Sequence, residues 1–369
     1  MNRRNFVKIT SASGILLGVS PLAAYSGPKK ELNILVLGGT DFLGPAIVEA
    51  AKQKGHKITL FNRGITNPLL FSDLELIKGD REKGPNVYDP LKDRQWDVVI
   101  DVWPQKSQLV DEATEALKKN AEHYVFISSI AVYDNFQEVG LHENSDVVVP
   151  GGNRSEWGYS QEKIVAEGSV RDRFPERHTI MRPGPIIGYR DPALDLLYWL
   201  VKLKRNQDIL APGSGKDPLQ FIDVKDVGRF TITAVENKLA GTFNTTGPVP
   251  NYLPWTDFLH SAKKHLNSTS KLYWGGEDFL KEHKVRSFDD LPLWAPLSED
   301  KGFMQISMKK AVSAGFQFTP MEQTIDDCLK WFALHHPNDF DFSMAEEAVG
   351  LSRSKEAMLI RKLRSKKKS

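Results

Sequence analysis

Cysteine is almost missing: Cys328 is the only one in 369 residues, so no intrachain disulfide can form and no oxidising compartment is required or excluded. Long apolar runs are missing as well. The most apolar stretch near the start, ITSASGILLGVSPLAAYS, is too short and too interrupted by Gly and Ser for a stable membrane span. Neither sign of charge prevails, with 49 Lys and Arg against 47 Asp and Glu and a net charge of +2, which gives no general pull toward nucleic acid or anionic membrane. The nine histidines fall into no H-E-x-x-H or Cys/His pattern, so no metal centre is expected. His335 and His336 read as a helix end before Pro337.

What is present begins with an arginine pair. Residues 1–26 run from Arg3, Arg4, Phe6 and Lys8 through a weakly apolar segment to small residues, the layout of a cleavable export signal. The order R-R-x-F-x-K resembles the twin-arginine signal, with Asn2 and Val7 as departures. That resemblance implies a periplasmic or otherwise exported protein, handed to the twin-arginine translocation machinery already folded, often with a cofactor in place.

From Leu32 the chain alternates buried strands with amphipathic helices: ELNILVLGG, PAIVEAAKQKG, HKITLFNRG, LELIKGD, WDVVIDVW, LVDEATEALKKNA and HYVFISS. This rhythm predicts an α/β fold, a Rossmann-type doubly wound parallel sheet. After RHTIMRPGPIIG it breaks, and a smaller C-terminal substrate lobe is expected. The divisions are a nucleotide-binding domain over 31–182, strands near 219–246 (PLQFIDV and GTFNTTG) returning to its sheet, a substrate-binding lobe over 183–218 and 247–336, and a C-terminal helix with a basic tail over 337–369. The tail, SRSKEAMLIRKLRSKKKS, reads as a solvated helix end in preference to a membrane or partner site.

The turn V-L-G-G-T-D-F-L-G, Val36 to Gly44, lies between a strand and a helix, where glycines let a pyrophosphate approach the helix N-terminus. Gly38, Gly39, Thr40, Asp41, Phe42, Leu43 and Gly44 are the candidate phosphate-binding residues. Asp41 stands where a third glycine is usual; a carboxylate aimed at pyrophosphate repels it, so Asp41 is expected to point away and cap the helix. The second strand ends in Asn62 and Arg63, with no acid to hold a ribose. Asn62 can bond a hydroxyl and Arg63 a 2′-phosphate, which favours NADP over NAD. Asp80 and Arg81, at the end of the third strand, are further candidate dinucleotide contacts, with a turn-forming Asp as the alternative for Asp80.

Further along, F-I-S-S-I-A-V-Y is followed by Y-S-Q-E-K, which places Tyr159 and Lys163 on one helical face after the serines Ser128 and Ser129. These strings, the G-G-x-x-F-L-G turn, R-P-G at Arg182–Gly184 and F-I-D-V-K-D-V at Phe221–Val227 together resemble the extended short-chain dehydrogenase superfamily, that is, the NAD-dependent epimerase/dehydratase family. The resemblance spans nearly all of the chain after residue 30. It implies a nicotinamide cofactor, tightly bound, with Ser129 orienting a substrate oxygen, Tyr159 as acid/base, Lys163 on the nicotinamide ribose and, by its charge, lowering the tyrosine pKa. Asp80 matches the adenine-binding acid of the family this chain resembles. Ser128 is expected to assist Ser129, and a homodimer is common among such proteins.

Nucleotide-sugar members place an Arg where this chain has Leu219, so a small sugar-like substrate without a nucleotide is expected, with Lys216 and Arg190 as possible compensators. Trp103, Trp157 and Trp199 are candidate sugar contacts of low rank beside a core role. Three functions stay open: an epimerase or dehydratase that recycles its cofactor, a net reductase or dehydrogenase using NADPH, and a non-catalytic RNA- or nucleotide-binding member. Ser129, Tyr159 and Lys163 together, and export away from RNA, weigh against the third.

Overall fold

The run Asn33–Leu37 is apolar on both faces, and from Ile34 onward it is fully covered, which is possible only for a strand with neighbours in its own sheet and helices above and below. In the computed structural model, which describes residues 30–102, 105–247, 253–344 and 349–366, this strand (β1) lies inside a seven-stranded sheet. The others in chain order are β2 (Lys57–Asn62), β3 (Glu75–Lys78), β4 (Trp96–Asp101), β5 (Ala121–Ile127), β6 (His178–Pro183) and a last strand, Gly241–Thr245. Every pairing among them is parallel, and the spatial order is last strand, β6, β5, β4, β1, β2, β3. Winding reverses between β1 and β4. Ligands of such sheets bind beyond the strand C-termini at that reversal.

Helix α1 (Leu43–Gln53) follows the glycine turn, α2 (Asp89–Lys92) is a single turn, and α3 (Ser107–Leu117) and α4 (Tyr159–Arg173) follow β4 and β5. One core joins α1 and the helix Val224–Glu236 to a face of the sheet through Ile47, Val48, Val227 and Phe230; the other face buries Leu117, Tyr124, Val170 and Phe174. The doubly wound reading from sequence holds throughout this part.

A further core lies among residues 187–363, around the helices Asp195–Lys204, Trp255–His265 and Met321–His335 and the strand pair Ile209–Ala211 with Leu272–Trp274. Trp199 is fully buried there, its indole N–H donating to the Pro292 carbonyl and its ring 4.9 Å from that of Trp255. It is a core residue and no sugar contact. Trp103 lies outside the described residues.

Two expectations need correction. Of the strands near 219–246, only Gly241–Thr245 joins the large sheet; Pro218–Leu219 pairs with Leu253–Pro254 and Ile222–Asp223 with Ile186–Ile187, each as a two-residue ladder. Pro218 has no N–H to extend pairing, and Asp223 turns to cap the next helix through the Lys225 N–H. The basic C-terminal stretch forms a helix over 353–366 as expected, but that helix is packed and not simply solvated. Helix Arg353–Lys366 buries Leu359, Ile360 and Leu363 in the second core, and its Glu356 is an ion-pair partner of the buried Lys202.

Glu356 also accepts from the Leu210 N–H at 2.9 Å, and Lys202 donates to the Tyr198 hydroxyl at 3.0 Å. Removing one partner leaves the other charge buried and alone. Glu356→Ala should lower unfolding free energy by about 3–5 kcal/mol in denaturant titration, whereas the paired change Lys202→Met with Glu356→Leu should recover most of it. Equal losses in the two variants would contradict a pair whose charges answer each other.

Candidate active site

A cavity of about 560 Å³ opens along the C-terminal ends of β1 to β6. One end is lined by Gly38 to Gly44, Asn62, Arg63 and Asp80, the other by Ser128, Ser129, Tyr159, Lys163, Pro183 and Gly184. The glycine turn, Asn62, Arg63, Asp80, Ser129, Tyr159 and Lys163, all singled out from sequence, therefore line one space.

At the glycine turn the backbone dictates the residue types. Gly38 and Gly39 have φ of +110° and +99°, and a Cβ on Gly44 would stand 2.5 Å from the Gly39 Cα. Phe42 occupies the cap position of α1, no side chain caps the helix and no acid sits in its first turn. The helix N–H groups beside the cavity are thus left to an anionic ligand, and the turn fits a dinucleotide pyrophosphate. Asp41 does not cap the helix as expected. It is exposed at the cavity rim, and among the described residues only its carbonyl is engaged, in a long 3.4 Å contact from Arg190 Nε.

Asn62 is also used differently from the expectation. Its amide donates to the Gly38 carbonyl at 2.7 Å and its oxygen accepts from the Gly64 N–H at 2.8 Å, so it braces the glycine turn against β2. Arg63 is exposed on the cavity wall and has no side-chain partner among the described residues. Asp80 caps a short turn through the Glu82 N–H at 3.2 Å and lines the cavity. Arg81 corrects the sequence reading most sharply. Its fork grips both oxygens of the fully buried Asp101 at 2.7 and 2.9 Å, and it donates further to the Tyr88 hydroxyl and the Leu109 carbonyl. Four of its N–H bonds are so committed, which leaves little of the guanidinium for a cofactor phosphate.

At the other end, Ser129 is extended and its hydroxyl oxygen accepts from the Ala131 N–H at 3.1 Å. Its O–H proton is left for another acceptor. Ser128 does not support it: that hydroxyl donates to Glu167 at 2.6 Å. Glu167, wholly buried four residues after Lys163, also accepts from Arg182 at 2.9 and 2.8 Å and from Arg171 at 2.7 Å. The R-P-G arginine thus ties β6 to α4.

Tyr159 opens α4 with 48% of its surface exposed, its ring on the cavity wall. Desolvation of its hydroxyl pushes the phenol pKa up, opposed by the Ser129 hydroxyl. Lys163, from which a lowering of this pKa is expected, follows one helical turn on. Its ammonium donates to the Ile127 carbonyl at 2.8 Å and lies 5.6 Å from the Tyr159 ring centre and 5.0 Å from that of Phe126. Burial pushes Lys163 down to about 8, with Asp101 and then Glu167 pulling it back and Arg81 pushing it further.

Asp101, Glu167 and Arg182 were missed as site residues. Signals existed: WDVVID ends a buried strand in an acid, and Tyr159, Lys163 and Glu167 repeat at four-residue spacing on one helix face.

The sequence profile of the NAD dependent epimerase/dehydratase family matches residues 34–245. The chain belongs to that family. Among relatives, it is 28% identical over 241 residues to the chloroplast stem-loop binding protein of 41 kDa b of Arabidopsis thaliana, the match covering 61% of each chain. It is 24% identical over 285 residues to the bifunctional pinoresinol-lariciresinol reductase of Thuja plicata, covering 71% of this chain and 84% of that one. In fold it is similar to the UDP-N-acetylglucosamine 4-epimerase of Methanobrevibacter ruminantium M1, with a TM-score of 0.62 at 18% identity over 83% of this chain and 100% of that one. It is similar also to the UDP-glucuronic acid 4-epimerase of Bacillus cereus in complex with NAD, with a TM-score of 0.58 at 16% identity over 84% and 99%.

The lowered affinity of Lys163 for its proton has a stability consequence. Because the folded-state pKa lies below the unfolded one, the cost of burying this charge is fully present below pH about 8 and fades as pH rises toward 10.5. Lys163→Met removes that dependence. The parent should gain about 3 kcal/mol relative to this variant between pH 7 and pH 10.5 in denaturant unfolding; a difference flat in pH would show that the ammonium is not held against its solvation.

Proposed function

We propose that the protein is a nicotinamide-dependent epimerase or dehydratase acting at a hydroxyl-bearing carbon of a sugar-like substrate that carries no nucleotide. The observation behind this reading is the placement of Ser129, Tyr159 and Lys163 at one end of a cavity whose other end is the glycine turn. A bound nicotinamide dinucleotide supplies hydride acceptance and return.

The chain's own groups do the rest. Gly38 to Gly44 and the α1 N-terminus hold pyrophosphate. Ser129, already accepting from Ala131, directs its proton to the substrate oxygen, and Tyr159 beside it takes the proton of that hydroxyl and returns it. Lys163 offers its remaining N–H groups to a ribose. NADP is favoured over NAD because the cavity wall at the end of β2 presents Arg63, without a side-chain partner among the described residues, and no acid.

The absence of a nucleotide from the substrate is supported by Leu219, 1% exposed at the position where a diphosphate-pairing cation would be needed, and by Lys216, exposed and not part of the cavity lining. The twin-arginine reading of residues 1–26, which lie outside the described residues, fits an enzyme that folds around its cofactor before export and regenerates it within each cycle. Net reduction needs a continuing NADPH supply instead.

A second reading, nucleic-acid binding, is favoured by the name of the Arabidopsis relative. Against it, several cations of the C-terminal helix are already paired, Lys355 with Asp290, Arg364 with Asp208 and Lys366 with Glu282.

The full chain, exported through its own signal, should carry nicotinamide nucleotide detectable by mass spectrometry. Turnover assayed by NMR on a panel of free and glycosidic sugars should fall about 10²–10⁴-fold in Tyr159→Phe with nucleotide content unchanged. Arg63→Ala should weaken NADP+ about 10–100-fold in fluorescence titration and leave NAD+ nearly unaffected. Stoichiometric NADPH consumption would replace the proposal with a net reductase, and full activity in Tyr159→Phe would remove the acid/base assignment.

A further inference from the structure

Two buried carboxylates flank Lys163, and each is claimed by an arginine. Asp101, at the end of β4, is the cross-strand neighbour of Phe126, over whose ring the Lys163 ammonium sits at 5.0 Å. Both of its oxygens are held by Arg81, and the Tyr124 hydroxyl donates to one of them at 2.7 Å. Glu167, one helical turn beyond the lysine, is taken up by Arg182, Arg171 and Ser128. Among the described residues no carboxylate hydrogen-bonds Lys163. Its partners are the Ile127 carbonyl and two aromatic rings.

A buried ammonium next to a carboxylate ordinarily forms an ion pair, because each otherwise lacks water. Here the planar fork of an arginine outcompetes it, offering two parallel N–H bonds where an ammonium offers a point charge. We propose that Arg81 is a positioning residue of the site: by occupying both oxygens of Asp101 it keeps that carboxylate from capturing Lys163 and so leaves the lysine to the cavity. This role rests on the reading of Lys163 as part of the reacting constellation. Arg81 itself comes from the turn after β3 and is anchored from behind by Tyr88 and the Leu109 carbonyl, so its fork has one place to go.

The charged and titratable groups facing Lys163 are Asp101 from β4, Arg81 from the β3 turn, and Glu167 and Tyr159 from its own helix. Tyr124 and Tyr88 line the far side of Asp101, and Arg182 from β6 the far side of Glu167. Loss of Arg81 is therefore an addition of one free negative charge at the lysine's side. Loss of Asp101 is the addition of one free positive charge. The two changes should move Lys163 in opposite directions.

The test is a pH titration of the full chain carrying lysine labelled with carbon-13 at Cε, the Lys163 resonance assigned by Lys163→Arg. The parent midpoint should lie near 8. Arg81→Met should raise it by about one unit or more, Asp101→Asn should lower it, and the double variant should lose the rise. NADP+ affinity in Arg81→Met should stay close to the parent's while the alkaline limb of turnover moves with the midpoint. A folded Arg81→Met with an unmoved midpoint would overturn the proposal, and loss of NADP+ affinity without a shift would make Arg81 a cofactor ligand. Should Arg81→Met fail to fold, Arg81→Lys keeps the cation but not the fork, and its midpoint must still rise or the proposal falls. The midpoints do not depend on turnover, so failure of Tyr159→Phe to reduce activity would sink the enzymatic reading and leave this one standing.

Discussion

A buried ammonium that hydrogen-bonds no carboxylate among the described residues is the feature around which the rest of this site is arranged. Lys163 is 3% exposed, and isolated charge in such surroundings is strongly unfavourable unless polar groups meet it. The Ile127 carbonyl meets it directly, and two aromatic faces add quadrupole attraction. The nearby carboxylates act at one remove, already neutralised by arginines. A direct ion pair would be more comfortable for the lysine and would tie up the donors that the site needs. Stability and availability pull in opposite directions here, and the two arginine forks hold the compromise.

That compromise is available only because of the sheet topology. A parallel, doubly wound sheet brings all strand C-termini to one edge, so residues from β3, β4, β5 and β6 that lie 20 to 101 positions apart in the chain converge beneath one helix. Arg81, Asp101, Ser128 and Arg182 each stand at or just past a strand end. The same edge carries the glycine turn on β1, which is why that turn and the Ser129, Tyr159 and Lys163 side chains share one cavity. No single element holds enough of the site to function alone.

This division also explains what the sequence could reveal. The strand rhythm, the glycine turn and the Tyr159–Lys163 pair are local patterns whose spacing is their signal, and the sheet order follows the alternation they announce. Side-chain commitments are not local. Asn62 and Arg81 read as cofactor ligands because of their position after a strand, yet the partner of Asn62, Gly38, follows the neighbouring strand β1, that of Arg81, Asp101, ends β4 on the far side of β2 and β1, and Ser128 is claimed by a helix 39 residues on. An Arg at a strand end looks the same in sequence whether it faces a phosphate or a buried acid. The C-terminal helix was obscured for another reason: its basic residues dominate its composition, while only Leu359, Ile360, Leu363 and Glu356 decide how it packs.

The distribution of charge along the cavity bears on the kind of molecule that completes it. Its lining cations other than Lys163, namely Arg63, Arg81 and Lys106, belong to the dinucleotide end, and Arg81 is neutralised by Asp101 while Lys106 pairs with Glu82. Arg63 is then the lining cation whose charge is left over, and it lies far along the wall from Ser129 in the order of strands. At the reacting end the walls are Pro183, Gly184, Ile186 and Pro192, with hydroxyls from Ser129 and Tyr159. A diphosphate placed there would be desolvated with nothing but Lys163 to answer two charges. A neutral substrate avoids that cost, and its hydroxyl at the carbon where chemistry is proposed meets the Ser129 and Tyr159 hydroxyls, so the neutral walls support the proposal of a substrate without a diphosphate.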